Sequence, residues 1–96
     1  MSSTDHTTSW TFLTNHTQVL ICIAEDVDIT LREVANKVGI TERAAQRIVA
    51  DLVEAGIIDR RRVGRRNHYL VNRGAAMRHA AQANHKIGPL LDLLQP

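Results

Sequence analysis

The chain has 96 residues, 44% of them hydrophobic and 23% charged, and a net charge of +2. This length suits one domain, and this hydrophobic fraction excludes a chain that is disordered throughout. The charge is unevenly spread, because residues 43–78 carry nine arginines against three acids, whereas residues 1–42 carry two bases against six acids. The asymmetry predicts a polyanionic partner for the middle of the chain, although arginine enrichment alone would also fit a GC-rich genome.

Cysteine content and hydropathy exclude several classes of protein. Cys22 is the single cysteine, so no intramolecular disulfide can form. No apolar run approaches the ~20 residues that span a bilayer, and the Ser/Thr-rich start lacks the regions of a signal peptide. We therefore expect a cytoplasmic protein with no membrane partner.

The first elements are a polar tail, an aromatic pair and a helix. Residues 1–9 are predicted to be a disordered tail. Trp10 and Phe12 follow, and we expect them to pack as an anchor on this core or on a partner subunit. Helical spacing of apolar residues then predicts a first helix that ends at Glu25, and in the connector behind it residues 28–29 could form a short strand that pairs elsewhere. The candidate caps of this helix are Thr14 and Asn15.

Two further helices are predicted, joined by a very short connection. Thr30 and Glu33 form a capping-box pattern, and the helix that they start would end at Gly39. Thr41 then caps a helix over residues 42–55. Two helices that are joined so closely must turn sharply, which is typical of a helix-turn-helix. The residues expected to face the core are Leu31, Val34, Ala35, Val38, Ala45, Ile48, Val49, Leu52 and Val53.

After the third helix the hydrophobic period changes from helical to alternating. Strands are predicted over residues 57–63 and 67–72, with a tight turn over residues 64–66. An isolated hairpin is marginal in water, so we expect Tyr69 and Val71 to face the helices.

The last stretch, residues 74–94, is predicted to be helical, with a break or kink at residues 88–89. Its final turn is rich in leucine, beyond what the core of so small a domain can absorb. We expect this helix to pair with its symmetry mate, and a lid over the first helix is the alternative. The residues predicted to form the dimer interface are Trp10, Phe12, Leu90, Leu91, Leu93 and Leu94.

The order of these elements, carried by LREVANKVGITERAAQRIVADLVEAGIIDRRRVGRRNHYLVN, resembles the winged helix-turn-helix domain over residues 14–72. It looks most like the small prokaryotic ArsR/MarR-type regulators, which are typically homodimers that bind operator DNA. The resemblance implies a mainly α fold with a three-helix core, a two- to three-stranded wing and a C-terminal helix. The implied organisation is a tail at 1–9, a DNA-binding domain at 10–73 and a dimerisation helix at 74–96.

In such a domain the third helix lies in the major groove of double-stranded DNA. Arginine can bond bidentately to guanine and glutamine to adenine, so the outward face of residues 42–55 suits base recognition. Glu42 is interpreted as stabilising the helix start through the macrodipole rather than as contacting a base. A solvated helix face is the alternative. The residues of this region predicted to contact DNA are Thr41, Arg43, Gln46 and Arg47.

The predicted hairpin carries five arginines within residues 60–66. Its tip would reach phosphates or the adjoining minor groove, where arginine is attracted by the negative potential. The alternative is a solvated hairpin whose charges block edge-to-edge aggregation. The wing residues predicted to contact DNA are Arg62, Arg65, Arg66 and Asn67.

Other functions are less well supported by the sequence. No cofactor or metal is predicted, because His79 and His85 do not share a helix face and Cys22 fits a core position better than a redox sensor. No catalytic motif is present, so we do not expect an enzyme. A winged helix that binds proteins and a nonspecific architectural DNA binder remain as alternatives. The sequence identifies no small-molecule effector.

Overall fold

The computed structural model describes residues 10–95, so the tail predicted at residues 1–9 lies outside the described residues. The elements, in chain order, are helices α1 (Asn15–Glu25), α2 (Leu31–Val38) and α3 (Glu42–Glu54), strands β1 (Ile58–Val63) and β2 (Arg66–Val71), a 3₁₀ turn at Ala80–Gln82 and helix α4 (Ile87–Leu94).

Local capping fixes the starts of the first three helices, as the sequence predicts. The Thr14 hydroxyl accepts from an amide of the first turn of α1. In α2 the capping box is complete, since the Thr30 amide donates to Glu33 Oε1 at 2.9 Å and the Glu33 amide donates to Thr30 Oγ1 at 3.1 Å. The Thr41 hydroxyl likewise accepts from the Ala44 amide at 3.0 Å. Each bond satisfies an amide that has no partner within its own helix.

The connection between α2 and α3 is sharp because Gly39 adopts a left-handed conformation. Its φ of 83° is a region that residues with a Cβ rarely enter, and its amide donates to the Ala35 carbonyl at 2.8 Å. This closes α2 and allows Thr41 to start α3 at once. The predicted helix-turn-helix is confirmed.

The three helices share one apolar core, to which the hairpin adds its base. Val19 and Ile23 of α1, Val34 of α2 and Val49 of α3 are each no more than 1% exposed and belong to one cluster. Tyr69 of the wing is 1% exposed and packs into the same cluster. Cys22 also lies in this core, as predicted.

The hairpin pairs β1 with β2 in an antiparallel register that runs from Ile58 opposite Val71 to Val63 opposite Arg66. The loop is Gly64–Arg65, one residue shorter than predicted, and Gly64 has the positive φ (63°) typical of a type II′ hairpin turn. Within residues 10–95 the sheet has these two strands. The third strand considered at residues 28–29 does not form. One backbone–backbone hydrogen bond, from the Tyr69 amide to the Val27 carbonyl at 2.9 Å, joins the connector to β2 instead.

The prediction of one helix over residues 74–94 is wrong. Within that range α-helix is confined to Ile87–Leu94. The chain before it doubles back, and the Met77 amide donates to the His85 carbonyl at 3.0 Å as two extended pieces pair across the 3₁₀ turn.

The burial of these residues explains why helix propensity does not decide this segment. Ala75 and Met77 are half-buried against the core, whereas Ala76 and Arg78 are exposed. Alternation with a period of two is the pattern of extended chain and not of a helix. Packing of two apolar side chains therefore overrides the helix-forming tendency of the alanines.

Gly88 and Pro89 lie in the first turn of α4, at the position where the sequence predicts a break or kink. The Gly88 amide donates to the Arg73 carbonyl at 2.8 Å. A Cβ at this position would lie 3.0 Å from the same oxygen, so the close approach requires glycine. Pro89 falls in the first turn, where a missing amide proton costs no helical hydrogen bond.

The leucines of α4 do not all lie outside the core. Leu91 is fully buried within the subunit, which corrects the expectation that the core could not absorb it. Leu90 and Leu94 are half-buried. Leu93 is 79% exposed and is the leucine of α4 most open to solvent.

The fold class is confirmed as mainly helical with a small hairpin, in a winged helix-turn-helix arrangement. Across residues 10–95, no helix has the length and hydropathy needed to cross a membrane.

Candidate nucleic-acid interface

The outward face of α3 brings the four residues predicted there onto one surface. The core residues of α3 lie at positions 45, 48, 49 and 52, so the opposite side is left to solvent. Arg43, Gln46 and Arg47 are exposed, and together with Thr41 they border one shallow depression. Arg43 and Arg47 are four residues apart and therefore stand one turn above each other. This surface combines two guanidinium groups and one amide on a rigid helix.

Glu42 lies at the edge of this surface and has a basic neighbour. Its carboxylate oxygen Oε2 is 3.7 Å from Arg32 Nε on α2. An acid in the first turn also interacts favourably with the helix macrodipole.

The register of the wing divides its residues between two faces. Arg60 stands opposite the buried Tyr69, and Arg62 stands opposite Asn67, so these four share the face that packs towards the helices. Arg66 is on the other face, because it alternates with Asn67 along β2. The predicted wing residues are therefore not one contiguous row.

The tip of the wing adjoins the helix-turn-helix. Arg65, Arg66 and Asn67 line one depression together with Glu42 and residues 28–32, at the starts of α3 and α2. The tip of the wing thus lies beside the starts of α2 and α3, although it is separate from them in sequence.

Arg66 differs from the other arginines of the wing in having partners within the fold. Its Nη2 donates to the Asp28 carbonyl at 3.1 Å and lies 4.0 Å from Glu33 Oε1. For the two arginines on the outward face of α3 and the four other arginines of the wing, no carboxylate among residues 10–95 lies within 4.0 Å. These arginines are Arg43, Arg47, Arg60, Arg61, Arg62 and Arg65.

Two acidic groups near the wing were not anticipated as part of this surface. The pKa of Glu33 is lowered, first by the hydrogen bond from the Thr30 amide, then by the Thr30 hydroxyl and by nearby Arg66 and Lys37. Asp28 Oδ1 lies 2.8 Å from Nδ1 of His68 on β2. Sequence spacing gives no signal for the second pair, because 40 residues separate its members.

A matching His–Asp pair lies on the helices, away from the wing. His16 Nε2 of α1 is 2.8 Å from Asp51 Oδ2 of α3, and both side chains are about half exposed. Sequence spacing gives no signal for this pair either, because 35 residues separate its members.

The residues predicted to form a dimer interface are only partly available. Trp10 and Phe12 are 66% and 92% exposed, and their rings contact each other edge to face with centroids 5.4 Å apart. The expectation that they anchor on this subunit's own core is therefore wrong, and packing on a partner subunit stays a prediction. Leu91 is buried in the core of its own subunit and so is not available to a partner, whereas Leu93 is exposed.

His79, one of the two histidines considered as metal ligands, caps a local turn. Nδ1 of His79 accepts a hydrogen bond from the Ala81 amide at 3.0 Å, as the cap of the 3₁₀ turn. In the part of the chain that the structure describes, no three His, Cys, Asp or Glu side chains gather as a metal site. Cys22 is buried, and burial raises the pKa of its thiol.

One protein-family model matches the chain. Residues 13–59 match a family described as winged helix-turn-helix DNA-binding. The matched range covers α1, α2 and α3 and ends just inside β1, so it contains the whole helix-turn-helix. No curated protein matches this sequence. The fold and the match together support a DNA-binding regulator of the winged helix-turn-helix kind.

Proposed function

We propose that this protein is a sequence-specific transcriptional regulator, of the ArsR/MarR type, that binds double-stranded DNA as a homodimer. Helix α3 lies in the major groove and the arginine wing lies on the phosphate backbone or in the adjoining minor groove. The observation that carries the proposal is the outward face of α3. There Arg43, Gln46 and Arg47 border one depression, and the tip of the wing borders a second one that includes Glu42, at the start of the same helix.

Base recognition falls to α3 because its polar side chains project from a fixed helix. An arginine fork bonds bidentately to guanine O6 and N7, and glutamine bonds to adenine N6 and N7. Each such pair contributes about 1–3 kcal/mol of discrimination against the wrong base. The Thr41 hydroxyl is engaged as the cap of α3. Thr41 would therefore contribute to DNA binding by placing the backbone amides of the helix start against a phosphate.

The wing contributes affinity more than selectivity. Arg62 and Asn67 are paired across the strands on the face of the wing that also carries Tyr69. Arg65 lies at the tip and lines the same depression as Asn67. Arginines on a solvated ribbon neutralise phosphates and release counterions, a contribution that does not depend on sequence. Arg66 can join them without leaving Asp28, because its Nη2 bonds the Asp28 carbonyl and the guanidinium has further N–H donors for a phosphate.

Dimerisation is proposed from the exposed apolar groups at the two ends of the described chain. Trp10 and Phe12 precede α1, and Leu93 projects from α4, which packs on α1. Large exposed apolar groups are typical of protein interfaces. A two-fold dimer would place two α3 helices about one DNA turn apart, so the bound site would be a pseudo-palindrome. Sedimentation equilibrium of the wild type and of Phe12→Ser tests this, and a monomer at all concentrations would contradict it.

Selection from a randomised duplex pool, followed by fluorescence anisotropy, tests sequence-specific binding. The selected duplex and a scrambled duplex are titrated with the wild type and with Arg43→Ala/Arg47→Ala over a series of salt concentrations. We expect the wild type to prefer the selected duplex and the helix variant to lose most of that preference. Arg78→Ala, which removes an exposed arginine of the segment before α4, is the control for loss of charge and should keep the preference.

The other outcomes identify the alternatives. Equal binding of selected and scrambled duplexes by the wild type would indicate an architectural DNA binder, whose affinity is dominated by phosphates. No binding at low salt would reject the DNA-binding function and favour a protein-interaction module.

A further inference from the structure

The wing extends away from the helices, and only its base is buried against them. Ile58 and Tyr69 are buried where it leaves the helices, whereas every residue over 59–66 is exposed. An isolated two-stranded ribbon is marginally stable and twists easily. Its own ladder therefore fixes the hairpin but not the angle at which the hairpin leaves the helices.

Contacts along the outer edge of β2 fix that angle. The Tyr69 amide donates to the Val27 carbonyl at 2.9 Å. One residue nearer the tip, His68 Nδ1 lies 2.8 Å from Asp28 Oδ1. Because a carboxylate can only accept, His68 donates this bond. Nearest the tip, Arg66 donates to the Asp28 carbonyl at 3.1 Å.

Asp28 is itself held firmly on the side of the helices. Its amide donates to Asp26 Oδ1 at 3.0 Å, in a local turn. The next residue, Ile29, is 2% exposed and belongs to the core. The backbone that carries Asp28 is therefore held in place, and its carboxylate is a point to which His68 can attach the wing.

We propose that Asp28 and His68 are positioning residues for the wing, in a role that rests on the proposed function of DNA binding. An exposed carboxylate beside a DNA-binding surface repels phosphates, so its presence there opposes binding unless it has another effect. The effect assigned to Asp28 is to hold the wing where Arg62 and Arg65 meet the DNA backbone.

The test compares Asp28→Ala with Asp28→Asn, using anisotropy on a mixed-sequence 30-base-pair duplex. Both variants remove the negative charge, and Asp28→Asn keeps an oxygen that accepts from His68. Loss of charge alone would tighten binding in both variants. We expect Asp28→Ala to bind roughly threefold more weakly than the wild type. Its salt slope, which is the magnitude of the slope of log K against log salt concentration, should fall by about 0.9, the effect of one phosphate contact. Asp28→Asn should bind as tightly as the wild type or more tightly.

Two controls separate wing positioning from a general loss of structure. In an Arg62→Ala/Arg65→Ala background, Asp28→Ala should have no further weakening effect, because the contacts that it positions are gone. His16→Ala breaks the other His–Asp pair, of the same 2.8 Å length, and should leave the salt slope unchanged. Equal or tighter binding by Asp28→Ala, or an equal loss in His16→Ala, would overturn the proposal.

Backbone ¹⁵N relaxation tests the positioning without DNA. We expect the order parameters of residues 63–65 to fall in Asp28→Ala towards the flexible range, below about 0.6, and to stay at the wild-type value in His16→Ala. Unchanged order parameters in Asp28→Ala would also overturn the proposal. A wild type that binds no DNA would reject the proposed function, and the relaxation measurement would still decide whether Asp28 holds the wing.

Discussion

The two arginine-bearing surfaces differ in how firmly the fold holds them. Arg43 and Arg47 project from α3, whose opposite side contributes four residues to the core, each no more than 6% exposed. The arginines of the wing stand on a ribbon whose residues 59–66 are all exposed. The backbone of α3 is therefore held firmly by the core, whereas the position of the wing relies on a few edge contacts.

This difference matches what each surface would have to do at DNA. A bidentate bond to a base edge requires correct distance and direction together. Attraction between a guanidinium and a phosphate acts over several ångströms and tolerates displacement. The two surfaces would therefore divide the work at DNA: the rigid helix would read bases, and the more mobile wing would hold phosphates.

The largest expected effect is on the packing that makes α3 rigid. Leu52 is 4% exposed on the inner side of α3. Leu52→Ala should lower the free energy of unfolding by about 2–5 kcal/mol, because it leaves a cavity in the core. Urea unfolding followed by circular dichroism measures this loss.

The matched variant is Val63→Ala in the wing, where the side chain is 62% exposed. It should change the free energy of unfolding by no more than about 0.5 kcal/mol. Similar losses in the two variants would contradict the contrast between a packed helix and a solvated wing.

The next effect concerns what the wing contributes to DNA binding. Arg62→Ala/Arg65→Ala should weaken binding to selected and scrambled duplexes by the same factor, and each lost phosphate contact should lower the salt slope by about 0.9. Anisotropy over a salt series measures both quantities. A change in sequence preference, with the salt slope unaltered, would show that the wing reads bases and that the proposed division is wrong.

The helix-turn-helix could be predicted from sequence because its signals are local. Thr30, Gly39 and Thr41 each act within four residues of their own position, so the caps and the turn follow from short patterns. The segment before α4 could not be predicted this way. The alternation of Ala75 and Met77 there competes with a high content of alanine, and tertiary packing decides between them.

The candidate site was predictable to the same degree. The outward residues of α3 followed from the periodicity of its core residues, and the structure places them on one surface. The contacts of the wing with Asp28 and Glu33 could not be predicted in this way. Arg66 and His68 lie 38 and 40 positions from Asp28, and no local pattern indicates that Arg66 lies 4.0 Å from Glu33.

The smallest expected effect concerns Glu33, which belongs to both regions. Its carboxylate accepts from Thr30 at the start of α2 and lies 4.0 Å from Arg66 of the wing. These contacts favour the charged form, which is why the pKa is lowered in the folded state. A lowered pKa contributes stability that is present above the unfolded value, near 4.5, and is lost as the pH falls through the folded value.

Thermal unfolding between pH 6 and about pH 3 therefore distinguishes the wild type from Glu33→Gln. The wild type should lose Tm more steeply on acidification, and the two proteins should converge at low pH, where Glu33 is protonated in both states. The control is Thr17→Ala, which removes a partly exposed hydroxyl near the start of α1. Because this substitution removes no ionisable group, the variant should follow the wild-type profile. If Glu33→Gln also reduces the ¹⁵N order parameters of the wing, Glu33 restrains Arg66 as well as capping α2. If the wing amides are unaffected, the carboxylate serves the helix-turn-helix alone and Asp28 carries the link between the two surfaces.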